Sequence, residues 1–190
     1  MGPHHSEILF FTGKNYWLSN FLEHPLECKI FGEVHQFQSV EQIFQAAKVL
    51  FISASDGEKA QLFSEFLESK SPGAVKQLGR RLTGLDVEAW DRAKDRVMAL
   101  AVEAKFLQNS GIRKGLLNLP GYHLEEGNRH GDRYWGKVDG KGQNKLGEIL
   151  MDFRDRLSTA IGEGTVKLNF VRVPDFDQVS AQALGLARRC

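Results

Sequence analysis

The sequence is poor in cysteine. Cys28 and Cys190 are its only two in 190 residues. They lie far apart and form no C-x-x-C pair, which excludes a disulfide framework and a thiolate metal knot. Such cysteine usage fits a reducing, cytoplasmic compartment. No apolar run approaches the roughly 18 residues of a membrane span, so no membrane partner is expected. The start "MGPHHSEILFF" lacks the basic segment and long apolar run of a secretory signal. Histidine is scarce and badly spaced for metal. His4, His5, His24, His35, His123 and His130 form neither HxxxH nor HExxH, so no metal and no cofactor are expected. A net charge of +1 lacks the cationic excess of a general nucleic-acid binder, though it leaves room for a local basic patch. Internal repeats and low-complexity tracts are absent too.

What remains is the composition of a globular protein, 42% hydrophobic and 26% charged. A chain of this length buries about 70% of its unfolded surface without staples. "EILFFTG" reads as a strand closed by Thr12-Gly13. In "LECKIFGEVHQF", Leu26, Cys28 and Ile30 alternate before a turn at Gly32-Glu33, the pattern of a hairpin. Ser39 is placed to cap a helix running to about Ser53, with Gln42 completing a capping box. Three more helices follow. Ser55 or Asp56 caps the first, Pro72 opens the second and Gly79 ends it, and the third runs from about Asp86 to Gln108. "GIRKGLLNL" reads as a short helix and "YHLEE" as a strand. "EGNRHGDRYWGKVDGKGQN" holds five glycines in nineteen residues and reads as a long loop. "KLGEILMDFRDRLSTAI" is a last amphipathic helix, followed by a strand over 166–173 and a helix from Ser180. The sum is an α+β fold: a mainly helical single domain around a small antiparallel sheet.

The chemistry concentrates in a few places. In "QSVEQIFQAAKVL", Val40, Ile43, Phe44, Ala47 and Leu50 form a buried stripe. Glu41, Gln45 and Lys48 form a second stripe, either a solvated face or a pocket wall. Lys105 falls on the otherwise apolar row Met98, Ala101, Val102. A lysine so placed usually lays its stem on the core and its ammonium in water. The alternative is a desolvated amine nucleophile. Trp90 and Trp135 either pack or stack on a base. "GKVDGKGQNKLG" fails the P-loop spacing, and it fails GxGxxG because Lys145 stands at the third glycine. Its glycines still allow close backbone approach to a phosphate, and Lys137, Lys141, Lys145 and Asn144 add charge and donors.

The ordered set "LSNF", "SVEQIFQAAK", "GR", "W", "AKF", "DRYWG" and "GQNKLGEILMDFR" resembles the NADAR family. The resemblance covers about residues 8–158. It leaves residues 159–190 as a C-terminal extension outside the pattern. It implies an α+β fold and N-glycosidase activity. Family members cleave N-glycosidic bonds of early riboflavin-pathway intermediates. Others remove ADP-ribose from the amino group of guanine in nucleic acid, and some act as antitoxins to ADP-ribosyltransferase toxins. The expected partners are therefore ADP-ribosylated guanine in DNA or a ribose-phosphate small molecule, with an ADP-ribosyltransferase as counterpart. The family glutamate and lysine of S-x-E-x-x-x-Q-x-x-K fall on Glu41 and Lys48. The loop aspartate falls on Asp132, and the W-G pair on Trp135 and Gly136. Lys137 departs from the pattern, since many relatives carry an acid there, and it would favour a more anionic ligand.

Breaking a ribosyl C–N bond builds oxocarbenium-like charge, which a carboxylate stabilises while an acid helps the nitrogen leave. Glu41 and Asp132 are the candidates for those roles. Lys48 and Lys105 are alternative amine nucleophiles, provided burial or a neighbouring cation lowers a pKa of about 10.4. Arg80 is expected to meet phosphate. Trp90 or Trp135 would meet the base, and Asn20, beside Phe21, and Asn144 the ribose or base edge. A non-catalytic ADP-ribose reader and a nucleic-acid-binding protein are the rival readings.

Overall fold

The computed structural model describes residues 7–13, 16–165 and 173–185. In chain order its elements are β1 (Ile8–Phe11), β2 (Leu26–Ile30), β3 (Glu33–Phe37), α1 (Val40–Ala46) and a 3-10 turn (Ala47–Phe51). Then come α2 (Asp56–Glu68), α3 (Pro72–Arg81), α4 (Val87–Gln108), α5 (Ser110–Leu117), β4 (His123–Glu126), α6 (Lys145–Gly162) and α7 (Phe176–Ala183). They fall into two compact units. One spans residues 23–108 and 172–190, the other residues 1–22 and 109–171. The fold is α+β, as expected. No helix among the described residues is long and apolar enough to cross a membrane. His4, His5, Cys190 and nearly all of the strand expected over 166–173 lie outside the described residues.

In the first unit β2 and β3 form the antiparallel hairpin. Leu26, Cys28 and Ile30 are buried, as their alternation requires. The turn sits one residue earlier than the sequence suggested. It is Phe31-Gly32, both at positive φ (56° and 78°), because Glu33 already pairs with Ile30. Ser39 caps α1 by accepting from the Gln42 amide at 3.1 Å. The return arm of the box reaches one residue further back, since Gln42 Oε1 accepts from the Gln38 amide at 2.6 Å. Gln42 Nε2 also donates to Phe66 O at 2.8 Å, tying α1 to the end of α2.

Three boundaries differ from the sequence reading. The helix expected to reach Ser53 tightens at Ala47 into the 3-10 turn. Gly79 does not end α3, which continues to Arg81. Gly79 is a packing glycine: a Cβ there would stand 1.9 Å from Gln45 Oε1. The final helix begins at Phe176, four residues before Ser180, with the Asp175 side chain accepting from the Asp177 amide at 3.0 Å. The Ser55–Glu58 capping box and Pro72 in the first turn of α3 stand as expected. Asp86 Oδ1 accepts from the Ala89 amide at 2.9 Å and starts α4.

In the other unit β1 and β4 pair in parallel, Ile8 with His123 through Phe11 with Glu126. A tight hairpin cannot join parallel strands, and β1 and β4 form a two-stranded sheet of their own. Leu146, Leu150, Phe153 and Leu157 make the buried stripe of α6. Arg154, only 4% exposed, donates to Leu119 O at 2.7 Å and Tyr122 O at 2.8 Å. It thereby pins the turn after α5 to α6.

Candidate functional site

Every residue of α1 is buried, so its polar stripe is not a solvated face. Glu41 is 3% exposed and Gln45 5%. Gln45 Nε2 donates to Glu41 Oε1 at 2.8 Å. A buried carboxylate demands such a donor, because leaving it bare costs several kcal/mol (on the order of the penalty for breaking a buried pair). Gln45 Oε1, turned to Gly79, is buried with no hydrogen-bond partner among the described residues. Only a glycine on α3 lets that amide lie so close.

Lys48 follows on the 3-10 turn and is half-buried. Its Nζ lies 5.6 Å from the Trp90 ring centre and 5.8 Å from that of Phe44. Burial pushes its pKa down most, Glu41 pulls it back, and Lys76 and Arg80 push it down again. Arg80 itself is exposed on α3. Trp90 is 6% exposed. It packs on Phe44 at 5.1 Å and edge-on to Phe51 at 5.4 Å. Its ring is therefore the apolar wall beneath the Lys48 ammonium. Glu41, Gln45, Lys48, Lys76, Arg80 and Trp90 make one cluster, and the sequence reading had no place in it for Lys76 or Gly79.

Lys105 stands elsewhere on α4, fifteen residues beyond Trp90, or about 22 Å along the axis at 1.5 Å per residue. It is 2% exposed, so it does not snorkel. Burial brings its pKa down to about 7, and its Nζ lies 5.2 Å from the Phe106 ring centre. Burial pushes the Cys28 thiol the other way, up, which makes it an inert core residue.

The remaining candidates belong to the other unit. Asp132 Oδ1 accepts from the Tyr134 amide at 3.1 Å and the Trp135 amide at 2.9 Å. Asn128 braces the same turn, accepting from the Asp132 amide at 3.0 Å and donating to Asp132 O at 2.7 Å. Asp132 thus orients half-buried Trp135, whose ring meets Tyr134 edge-on at 5.0 Å. Gly136 is a close-approach glycine: a Cβ would stand 2.0 Å from Glu126 Oε2. Asn20 is buried and Phe21 half-buried, in a turn where the Phe21 amide donates to Ser19 Oγ at 3.1 Å.

Asn144 takes the left-handed conformation at φ 56° and starts α6. Its Oδ1 accepts from the Glu126 amide at 2.9 Å, and its Nδ2 donates to Leu124 O at 2.9 Å. The side-chain amide runs alongside β4 like a strand residue, and both its ends are committed to backbone. Gly147 makes room for it, since a Cβ there would lie 2.2 Å from Leu124 O. Much of the G-x-N-x-x-G signature is therefore fold geometry. Two of the three loop lysines are engaged as well. Lys137 pairs with Glu125, which also faces His123 at 3.2 Å. Lys145 pairs with Glu148 at 2.8 Å. The Lys137 ammonium, expected to favour a more anionic ligand, thus has a carboxylate of its own chain beside it.

The NADAR domain model matches residues 9–158. N-glycosidase YbiA of Escherichia coli K12 is 33% identical over 141 residues, covering 74% of this chain and 80% of that protein. Riboflavin biosynthesis protein PYRR of Zea mays, chloroplastic, is 30% identical over 145 residues, covering 73% of this chain and 23% of that one. The NMR structure of E. coli YbiA matches with a TM-score of 0.68 at 30% identity, over 83% of this chain and 89% of that chain. Relatives and fold together define the class, an N-glycosidase of α+β architecture. The chain belongs to the NADAR family.

Proposed function

We propose that this N-glycosidase removes ADP-ribose from guanine in nucleic acid, with Glu41 and Lys48 at its reacting centre. The buried Glu41 carboxylate, held by Gln45 beside the Lys48 ammonium, carries the reading. As the C1′–N bond breaks, its electron pair leaves with the nitrogen and positive charge grows on the sugar. A desolvated carboxylate stabilises that charge far better than one in water. Water then bonds to C1′, and its proton ends on the departing nitrogen. A second route uses Lys48 as nucleophile. Its depressed pKa raises the fraction of free amine, which adds to C1′ of the ring-opened sugar and expels the base. Water later releases the lysine.

Lys76 and Arg80 both act on Lys48, so three cations gather beside the Glu41 carboxylate. That balance suits the two phosphates of an ADP-ribosyl group. The ADP-ribosyltransferase that makes such a substrate would be the functional counterpart. The name of the maize relative favours a second reading, cleavage of a riboflavin-pathway ribosyl phosphate. Incubation with ADP-ribosylated guanine DNA and, separately, with that intermediate decides between them. The first reading expects free ADP-ribose and restored guanine by mass spectrometry. Base release from the riboflavin intermediate alone would replace it.

A further inference from the structure

We propose that α7, beyond the family-matched segment, is a positioning element for Lys48, with Phe176 and Asp177 as its working residues. The argument begins with the 3-10 turn. Its i→i+3 bonding is weaker than that of an α-helix, and it has no side-chain cap. Its other residues, Ala47, Val49, Leu50 and Phe51, are buried. The direction of the Lys48 stem is therefore set by what packs against the turn, and α7 is one of those neighbours, along with α1, α2 and α4.

The helix is fastened at both ends. The Asp177 carboxylate accepts from both hairpin-turn amides, Phe31 at 2.8 Å and Gly32 at 2.7 Å. Lys29 Nζ pairs with Asp175 at 2.9 Å, and the Lys29 amide donates to Pro174 O at 2.9 Å. At the far end Arg92 Nη2 donates to Ala183 O at 3.2 Å. Between the fastenings Phe176, Val179 and Ser180 turn inward at i, i+3 and i+4. Phe176 has no exposed surface. A two-ended clasp on a short helix that packs against a weakly bonded turn, with a buried aromatic on its inner face, is a device for holding that turn still.

The role assigned to Lys48 rests on the proposed function, but the test does not. Reductive methylation with 13C-formaldehyde and NMR titration of full-length protein reads the Lys48 amine directly, its resonance assigned by loss in Lys48→Arg. The charged groups facing it, Glu41 on α1 and Lys76 and Arg80 on α3, stay in place in every variant. In Phe176→Ala the Lys48 pKa should climb back toward the ordinary lysine value as the turn loosens into water. Phe176→Leu should restore it. A folded Phe176→Ala protein with unchanged Lys48 titration overturns the proposal. Should Phe176→Ala fail to fold, Asp177→Asn decides: a shift in the same direction supports it and no shift overturns it. A Lys48→Ala enzyme that still releases base at full rate would defeat the chemistry and leave this titration to judge the positioning alone.

Discussion

Gln45 Nε2 donates to Glu41 Oε1 at 2.8 Å, with both side chains buried one helical turn apart on α1. The bond gives the buried carboxylate a donor. Replacing Gln45 with Met keeps the volume and removes that donor. A bond of about 1 kcal/mol corresponds to about fivefold in rate, so kcat/KM should fall by about that much. An unchanged kcat/KM in the folded variant would make Gln45 a packing residue only.

Gly79 faces the same amide. Gly79→Ala should destabilise by about 1–3 kcal/mol, the range for overpacking. Because the clash is with Gln45 alone among the nearest atoms, Gln45→Ala in the same chain should recover most of that loss. Urea denaturation of the two single variants and the double variant measures the coupling. Additive losses would mean the crowding lies elsewhere.

Lys105 gives a pH signature. Its folded pKa, about 7, lies below the ordinary 10.5. Between those values the unfolded chain binds the proton that the folded chain lacks, so this residue makes stability rise with pH across that window. Below pH 7 both states are charged and the cost of burying the ammonium is fully present. Lys105→Met should flatten that rise and raise stability at pH 7 by a few kcal/mol at most. Parallel pH dependence of wild type and variant from pH 7 to 10 would contradict it.

Lys137 is committed to Glu125 in a partly buried pair. Lys137→Ala should cost about 1 kcal/mol of stability and leave KM for a phosphate-bearing substrate within about twofold. A tenfold rise in KM without loss of stability would return Lys137 to the ligand.

Much of this was readable in the chain, and the rest failed for local physical reasons. Ser39, Ser55, Asp86 and Pro72 announce their helices because caps and first-turn prolines act on neighbours in sequence. The inward stripe of α6 follows from its period. Gly79 misled because a glycine near a helix end looks like a stop, and only the approach of Gln45 from another helix reveals its purpose. Asn144 looked like a ligand donor because nothing local indicates that its amide will pair with β4. The polar stripe of α1 is buried by contacts far off in sequence, so pattern alone favoured solvent and the resemblance pointed the other way. Among the candidates, the structure gathers Glu41, Lys48, Arg80 and Trp90, and sets Lys105 apart on α4. Lys76 went unnoticed because a single lysine on a polar helix carries no signal.

The central claim is that the Glu41 carboxylate stabilises the breaking ribosyl bond. Single-turnover base release from ADP-ribosylated guanine DNA by Glu41→Gln tests it most directly, with circular dichroism confirming the fold. The account predicts a rate about 10²–10⁴-fold below wild type, the range for removing a group that acts in the transition state. Base release at the wild-type rate would contradict it.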